Sequence, residues 1–264
     1  MCELFGLSSR VPTTVSLSVR LLARRGSHAS GLGDGWGVAY HMGDDALVAK
    51  QPGPADASPW IDFLAGQPIR SRIVVSHIRH ATQGEVSLRN TQPFMRELGG
   101  RMHVFAHNGR LSGIERRFAG GSRRFRPVGT TDSEVAFCAL LERLAPLWDA
   151  GTPSPEQRLR EVADVAATLR ALGPANFLYA DGELLVAHAH RRTQRDGSIA
   201  PPGLWMLHRS CAVDPDALAS AGVTLDGGQL VTLFASVPLT EEPWQPLREG
   251  EIAVARDGVG ERGG

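Results

Sequence analysis

The chain has 264 residues, 42% hydrophobic and 21% charged, and its 28 basic and 28 acidic side chains cancel. That is ordinary globular composition, enough for one large or two modest cores, and the neutral balance gives no footing for a nucleic-acid or membrane partner. Cys2, Cys138 and Cys211 are too few and too scattered for a disulfide framework, and no apolar run nears the ~20 residues of a membrane span. No basic flank precedes an apolar N-terminal stretch, so a secretory signal is not expected and a cytoplasmic protein is.

In chain order, residues 2–9 read as a buried strand, with Cys2, Leu4 and Gly6 on one side and Glu3, Phe5 and Leu7 on the other. Residues 13–24 are predicted to form a short helix after Pro12. Residues 24–34, rich in glycine, are predicted to form a lid-like loop. A hairpin follows at residues 35–40 and 46–50, then a helix opened by Ser58-Pro59, then a β-branched strand at 73–80. Residues 81–101 look irregular, and 102–107 form a strand stopped by Asn108-Gly109.

Thr131-Asp132-Ser133-Glu134 has the capping-box pattern and opens an apolar helix through Leu144. Ser154-Pro155 opens a second helix, ended by Gly173. A hairpin at 176–190 and strands at 204–208, 230–237 and 251–256 complete the elements. Hairpins with helices grouped between them favour an antiparallel α+β fold over a βαβ alternation. One domain is expected over residues 2–256, with a disordered tail at 257–264.

Several residues carry chemistry in principle. If Met1 is removed, Cys2 bears a thiol and the chain's α-amine, groups that titrate at roughly 8.5 and 7.7–8.0, so the nucleophile has its own base. Arg79 ends a strand and is either a bidentate carboxylate clamp or a surface arginine. Asn108-Gly109 is either an oxyanion hole or a plain turn. Asp132 either binds a substrate amine or complements the helix dipole. His77, His80, His103, His107, His188 and His190 lack zinc-site spacing, although alternation puts His188 and His190 on one strand face. No GxSxG supports a serine hydrolase.

Taken together, Met1-Cys2-Glu3-Leu4-Phe5-Gly6, Asp34-Gly35-Trp36-Gly37, Arg79-His80-Ala81-Thr82, His107-Asn108-Gly109 and Thr131-Asp132-Ser133-Glu134 resemble, in order, the motifs of class II glutamine amidotransferases, which are N-terminal-nucleophile (Ntn) hydrolases. Asn90-Thr91-Gln92-Pro93-Phe94, Arg96-Glu97-Leu98 and Phe125-Arg126-Pro127-Val128-Gly129 are similar to the stand-alone bacterial YafJ-like branch. His80 and Gln83 depart from the large biosynthetic members.

The resemblance implies a four-layer αββα sandwich. It implies loss of Met1 and attack of Cys2 on the side-chain amide of glutamine or a γ-glutamyl compound. Asn108 and Gly109 would stabilise the oxyanion, and a thioester on Cys2 would be hydrolysed. Arg79 would hold the substrate carboxylate and Asp132 its ammonium, with Thr82 assisting. No metal or organic cofactor is implied, and ammonia goes to a separate acceptor protein or to solvent. Two alternatives are a γ-glutamyl amide hydrolase of an ergothioneine-type thiol pathway and a non-catalytic ligand-binding relative.

Overall fold

The alternation at the start of the chain continues beyond residue 9: β1 runs Glu3–Val15 and lies at the middle of an eight-stranded antiparallel sheet. The computed structural model describes residues 2–15, 33–55, 58–80, 84–118, 124–194, 196–211, 223–224 and 229–263. This first sheet also holds β2 (Gly35–Met42), β3 (Asp45–Pro52) and β4 (Arg70–Arg79). A second sheet begins with β5 (Phe94–Leu98), β6 (Arg101–Gly109), β7 (Ala175–Ala180) and β8 (Leu185–His188). A ribbon of β9 (Arg192–Thr193) and β10 (Ile199–Ala200) stands apart.

The chain then returns to the first sheet with β11 (Trp205–Cys211), β12 (Val223–Thr224), β13 (Gln229–Ala235) and β14 (Gln245–Pro246). It ends in the second with β15 (Ile252–Arg256) and β16 (Val259–Arg262). The orders are β14-β11-β13-β1-β4-β2-β3, with β12 on β1, and β16-β15-β8-β7-β6-β5.

Period-two patterning decides what each face meets. Leu4, Ile73 and Val75 of the first sheet pack on Val104, Ala106, Leu178 and Leu185 of the second. The helices Asp132–Asp149 and Pro155–Arg170 cover the second sheet's other face, where Phe137 of the first helix stacks on Phe105 beside Phe177. The helix Pro59–Ala65 brings Ile61 and Leu64 to the outer face of the first sheet, beside Trp36 and Tyr40. The result is the αββα sandwich of an α+β protein.

Four expectations need correction. Thr13 and Thr14 continue β1, paired with Ser71 and Arg70, so no helix starts there; residues 16–32 lie outside the described residues. Part of the stretch 81–101 is β5, whose Phe94 pairs with Phe105. The tail is a strand: Asp257 and Gly258 take φ values of 48° and 77°, turning the chain so that Val259–Arg262 pairs with β15, and Arg262 bonds Glu251. The capping box of the Asp132–Asp149 helix is half formed. Thr131 accepts from the Glu134 N–H, but the Glu134 carboxylate instead accepts from the Val128 and Gly129 N–H groups and Arg96.

Six histidines among the described residues are buried, His41, His77 and His188 among them. Burial lowers the pKa of His41 to about 4 and those of His77 and His188 to about 3, so all three are neutral at pH 7. Each contributes stability that is present above the unfolded value of 6.5 and lost as pH falls towards its folded value. Glu3 acts oppositely, because burial lifts it to about 7 and its protonation favours the fold between pH 7 and 4.5. Three groups outweigh one, so the urea midpoint is expected to fall between pH 6.5 and 4 with an unchanged m-value. A flat or rising midpoint over that range would contradict the neutral, buried state of these rings.

Candidate active site

The site forms where one end of each sheet meets the other. Cys2 leads into β1, and the register Glu3↔Ile78 sets it beside the end of β4. There the His80 N–H donates to Cys2 Sγ at 3.2 Å. From the second sheet, Asn108 at the end of β6 donates its Nδ2 to the Cys2 carbonyl at 2.5 Å. Asn108 is itself held by Asn176, its partner on β7, whose Nδ2 donates to the Asn108 carbonyl at 3.1 Å.

Gly109 follows, and no side chain fits there: a Cβ would sit 1.8 Å from the Pro174 carbonyl oxygen. Gly37 has a similar reason. A Cβ on it would meet the Gln92 carbonyl at 2.3 Å, so β2 is bare where the 90–93 segment crosses it.

Arg79 is 3% exposed, and its guanidinium donates to the carbonyls of Glu85 (3.1 Å) and Gly84 (3.2 Å). Asp132 opens its helix with both carboxylate oxygens engaged. Oδ2 accepts from the Leu111 N–H at 2.7 Å, and Oδ1 from the Ser133 N–H at 2.8 Å. Ser133 Oγ lies 3.3 Å from Oδ1 and 2.9 Å from His107 Nδ1. A serine hydroxyl has one proton, so when it donates to Asp132 it must accept from an Nδ1-protonated His107. Asp132 is thereby braced through Ser133 by the histidine next to Asn108.

The electrostatics follow from burial. Burial pushes the Cys2 thiol up, and the His80 N–H at Sγ pulls the other way. On the neighbouring residue, the Glu3 carboxylate is fully buried and accepts from Arg192 Nη2 at 2.7 Å. Arg192 Nη1 also donates to the Ser236 carbonyl at 2.5 Å, and Ser236 Oγ accepts from the Leu4 N–H at 3.0 Å. This web fixes the first residues of β1.

Cys2 and Asn108 are thus in direct contact, Arg79 adjoins the residue on Sγ, and Asp132 bonds two residues beyond Gly109. Thr82 and residues 24–32 lie outside the described residues. The histidines do not assemble a metal site: among the described residues no three His, Cys, Asp or Glu side chains could hold an ion. His188 and His190 also part company, since β8 stops at His188. His188 bonds the Ala175 carbonyl and Arg170, whereas His190 meets Glu249.

Sequence reasoning missed Arg192, Ser236, the Ser133–His107 link and the role of Asn90-Thr91-Gln92. Asn90 exchanges hydrogen bonds with Thr130, and Gln92 with the His107 backbone. Polar residues packed so densely in a predicted loop were the only signal. No helix among the described residues is long and apolar enough to cross a membrane.

Comparison with known proteins places the chain in a family. Residues 1–262 match the family model of class-II glutamine amidotransferases. The chain is 37% identical over 252 residues to YafJ of Escherichia coli K12, covering 95% of this chain and 96% of that one. A Haemophilus influenzae relative is 32% identical over 259 residues, covering 98% and 85%. Among solved structures, a predicted glutamine amidotransferase from Pseudomonas aeruginosa PA01 aligns with a TM-score of 0.71 at 32% identity, over 98% of this chain and 99% of that one. The glutamine phosphoribosylpyrophosphate amidotransferase of B. subtilis shares the fold, with a TM-score of 0.58 at 16% identity over 99% of this chain and 49% of that one. The chain belongs to the class-II glutamine amidotransferase family.

Proposed function

We propose that the protein cleaves the side-chain amide of glutamine or of a γ-glutamyl compound through a thioester on Cys2. The observation that carries this reading is the contact of Asn108 Nδ2 with the Cys2 carbonyl, which puts an amide donor beside the nucleophile. Removal of Met1 frees the Cys2 α-amine. A buried thiol whose pKa is raised does not ionise unaided, and a base on the same residue answers that need.

In the first step Sγ attacks the amide carbon while its proton passes to the α-amine. The oxyanion is held by Asn108 Nδ2 and the Gly109 N–H, donors worth ~3–4 kcal/mol each in such sites. Collapse expels ammonia, or an amine, with the proton returned by the α-ammonium. Water then attacks the thioester, the α-amine takes its proton, and the acid leaves as the thiol re-forms. Arg79 holds the substrate α-carboxylate and Asp132 its α-ammonium, and Thr82 assists in binding. The ammonia passes to a separate acceptor protein or to solvent in the cytoplasm.

Incubation with 6-diazo-5-oxo-norleucine and an intact-mass measurement test the nucleophile. The expected outcome is one adduct on protein lacking Met1 and none on Cys2→Ala, which also loses amidase turnover by at least about 10³-fold. An adduct of equal yield on Cys2→Ala would sink the reading. A panel of γ-glutamyl amides assayed for ammonia and amine then identifies the substrate.

The brace on Asp132 makes a separate prediction. Ser133→Ala removes one charge-assisted hydrogen bond, which should raise KM for glutamine about tenfold with a smaller change in kcat. With glutaramate, which has the amide but no α-amine, the variant and the wild type should have the same KM. Equal losses on both substrates would show that Ser133 acts elsewhere.

A further inference from the structure

The end of the sandwich away from Cys2 is also open. A cleft of about 600 Å³ lies there, lined by strand ends of both sheets and by the turns Gly43-Asp44, Gly182-Glu183 and Arg256-Asp257. Five residues of β1, Glu3 to Leu7, separate Cys2 from Ser8 in its wall, a span of about 20 Å of extended chain. The volume falls within the range of small-molecule sites.

Its inner wall is polar where a sandwich would ordinarily close with apolar side chains. The inter-sheet core gives way to Ser8, Ser71 and His41. His41 is 4% exposed, and neither ring nitrogen has a hydrogen-bond partner. An unmet buried polar group costs ~1–3 kcal/mol, and nothing in the packing of β2 accounts for this one.

Four guanidiniums surround the opening, two from each sheet: Arg70 and Arg72 on β4, Arg101 on β6 and Arg256 on β15. They face three carboxylates in the same wall, Asp44, Glu183 and Asp257, at 3.3 Å from Arg101, 2.8 Å from Arg256 and 3.2 Å from Arg72. Arg72 and Asp257 are each more than half exposed, as is Arg256. Ion pairs of that kind contribute ~0–1 kcal/mol, so an incoming anion competes with them readily. Guanidiniums bind carboxylate and phosphate oxygens in pairs.

We propose that this cleft binds a small molecule with two or more anionic groups, carboxylate or phosphate, bridging the arginines of the two sheets. The site is separate from the Cys2 chemistry and does not depend on it.

Calorimetric titration with pyrophosphate and with citrate tests the proposal and distinguishes the two anion classes. At least one probe is expected to bind with Kd at or below ~1 mM, and binding should weaken at least about tenfold in Arg72→Gln/Arg256→Gln. Both arginines are exposed and outside the catalytic machinery, so amidase turnover should be unchanged. No binding of either probe up to about 10 mM, or equal binding by the double variant, overturns the proposal. A second variant does not rely on removing arginines. Asp257→Asn keeps a residue tolerant of the positive φ of 48° and releases Arg72, so it should tighten binding several-fold. Unchanged or weaker binding by Asp257→Asn counts equally against the proposal.

Discussion

The hydrogen bond from Asn108 to the Cys2 carbonyl is the constraint around which the molecule is arranged. Its donor belongs to one sheet and its acceptor to the other. The bond therefore exists only if the two sheets stack in one register. Their contact faces are built from small and medium aliphatic residues, Leu4, Val75, Ala106 and Leu178 among them, which allow close approach. Glycine is used where even a methyl group would interfere. Gly109 lets β6 finish against the Pro174 carbonyl, and Gly37 lets the segment ending in Gln92 lie across β2. Backbone, not side-chain bulk, sets the spacing at the site.

A second layer of polar contacts fixes each group. Arg79 is held by two loop carbonyls, Asp132 by Ser133 and Leu111, and the loop 84–92 by Asn90 and Gln92. Glu134 gathers the 128–129 backbone and Arg96 onto the same helix end. Asn90 to Phe94 and Phe125 to Gly129, the stretches that resemble the YafJ-like branch, thus serve to hold the two loops that flank the site.

The strands, the two long helices and the family were legible because they rest on local signals: alternation, capping residues and short ordered motifs. What was not legible depends on distance along the chain. Arg192 reaches Glu3 across 189 positions, and Ser236 reaches Leu4 across 232, and neither has a local pattern that names its partner. Glu134 read as half of a capping box because Thr131 precedes it, yet three donors from elsewhere outcompeted the helix terminus. The tail read as disordered. Gly258 is instead the turn that lets β16 pair, and Arg262 secures it on Glu251. Strand pairing and the buried Glu251 carboxylate thus order the tail, as donors distant in sequence redirect Glu134.

The position of β1 has a temporal consequence. One of its edges is zipped to β4, whose residues follow within about seventy positions, and the other to β13 at residues 229–235. A chain emerging from the ribosome can complete only the first seam early. Until the second seam closes, Leu4 lacks the Ser236 hydroxyl. The start of β1 is thus among the last parts of the sheet to be locked. The late lock on Leu4 is a consequence of strand order.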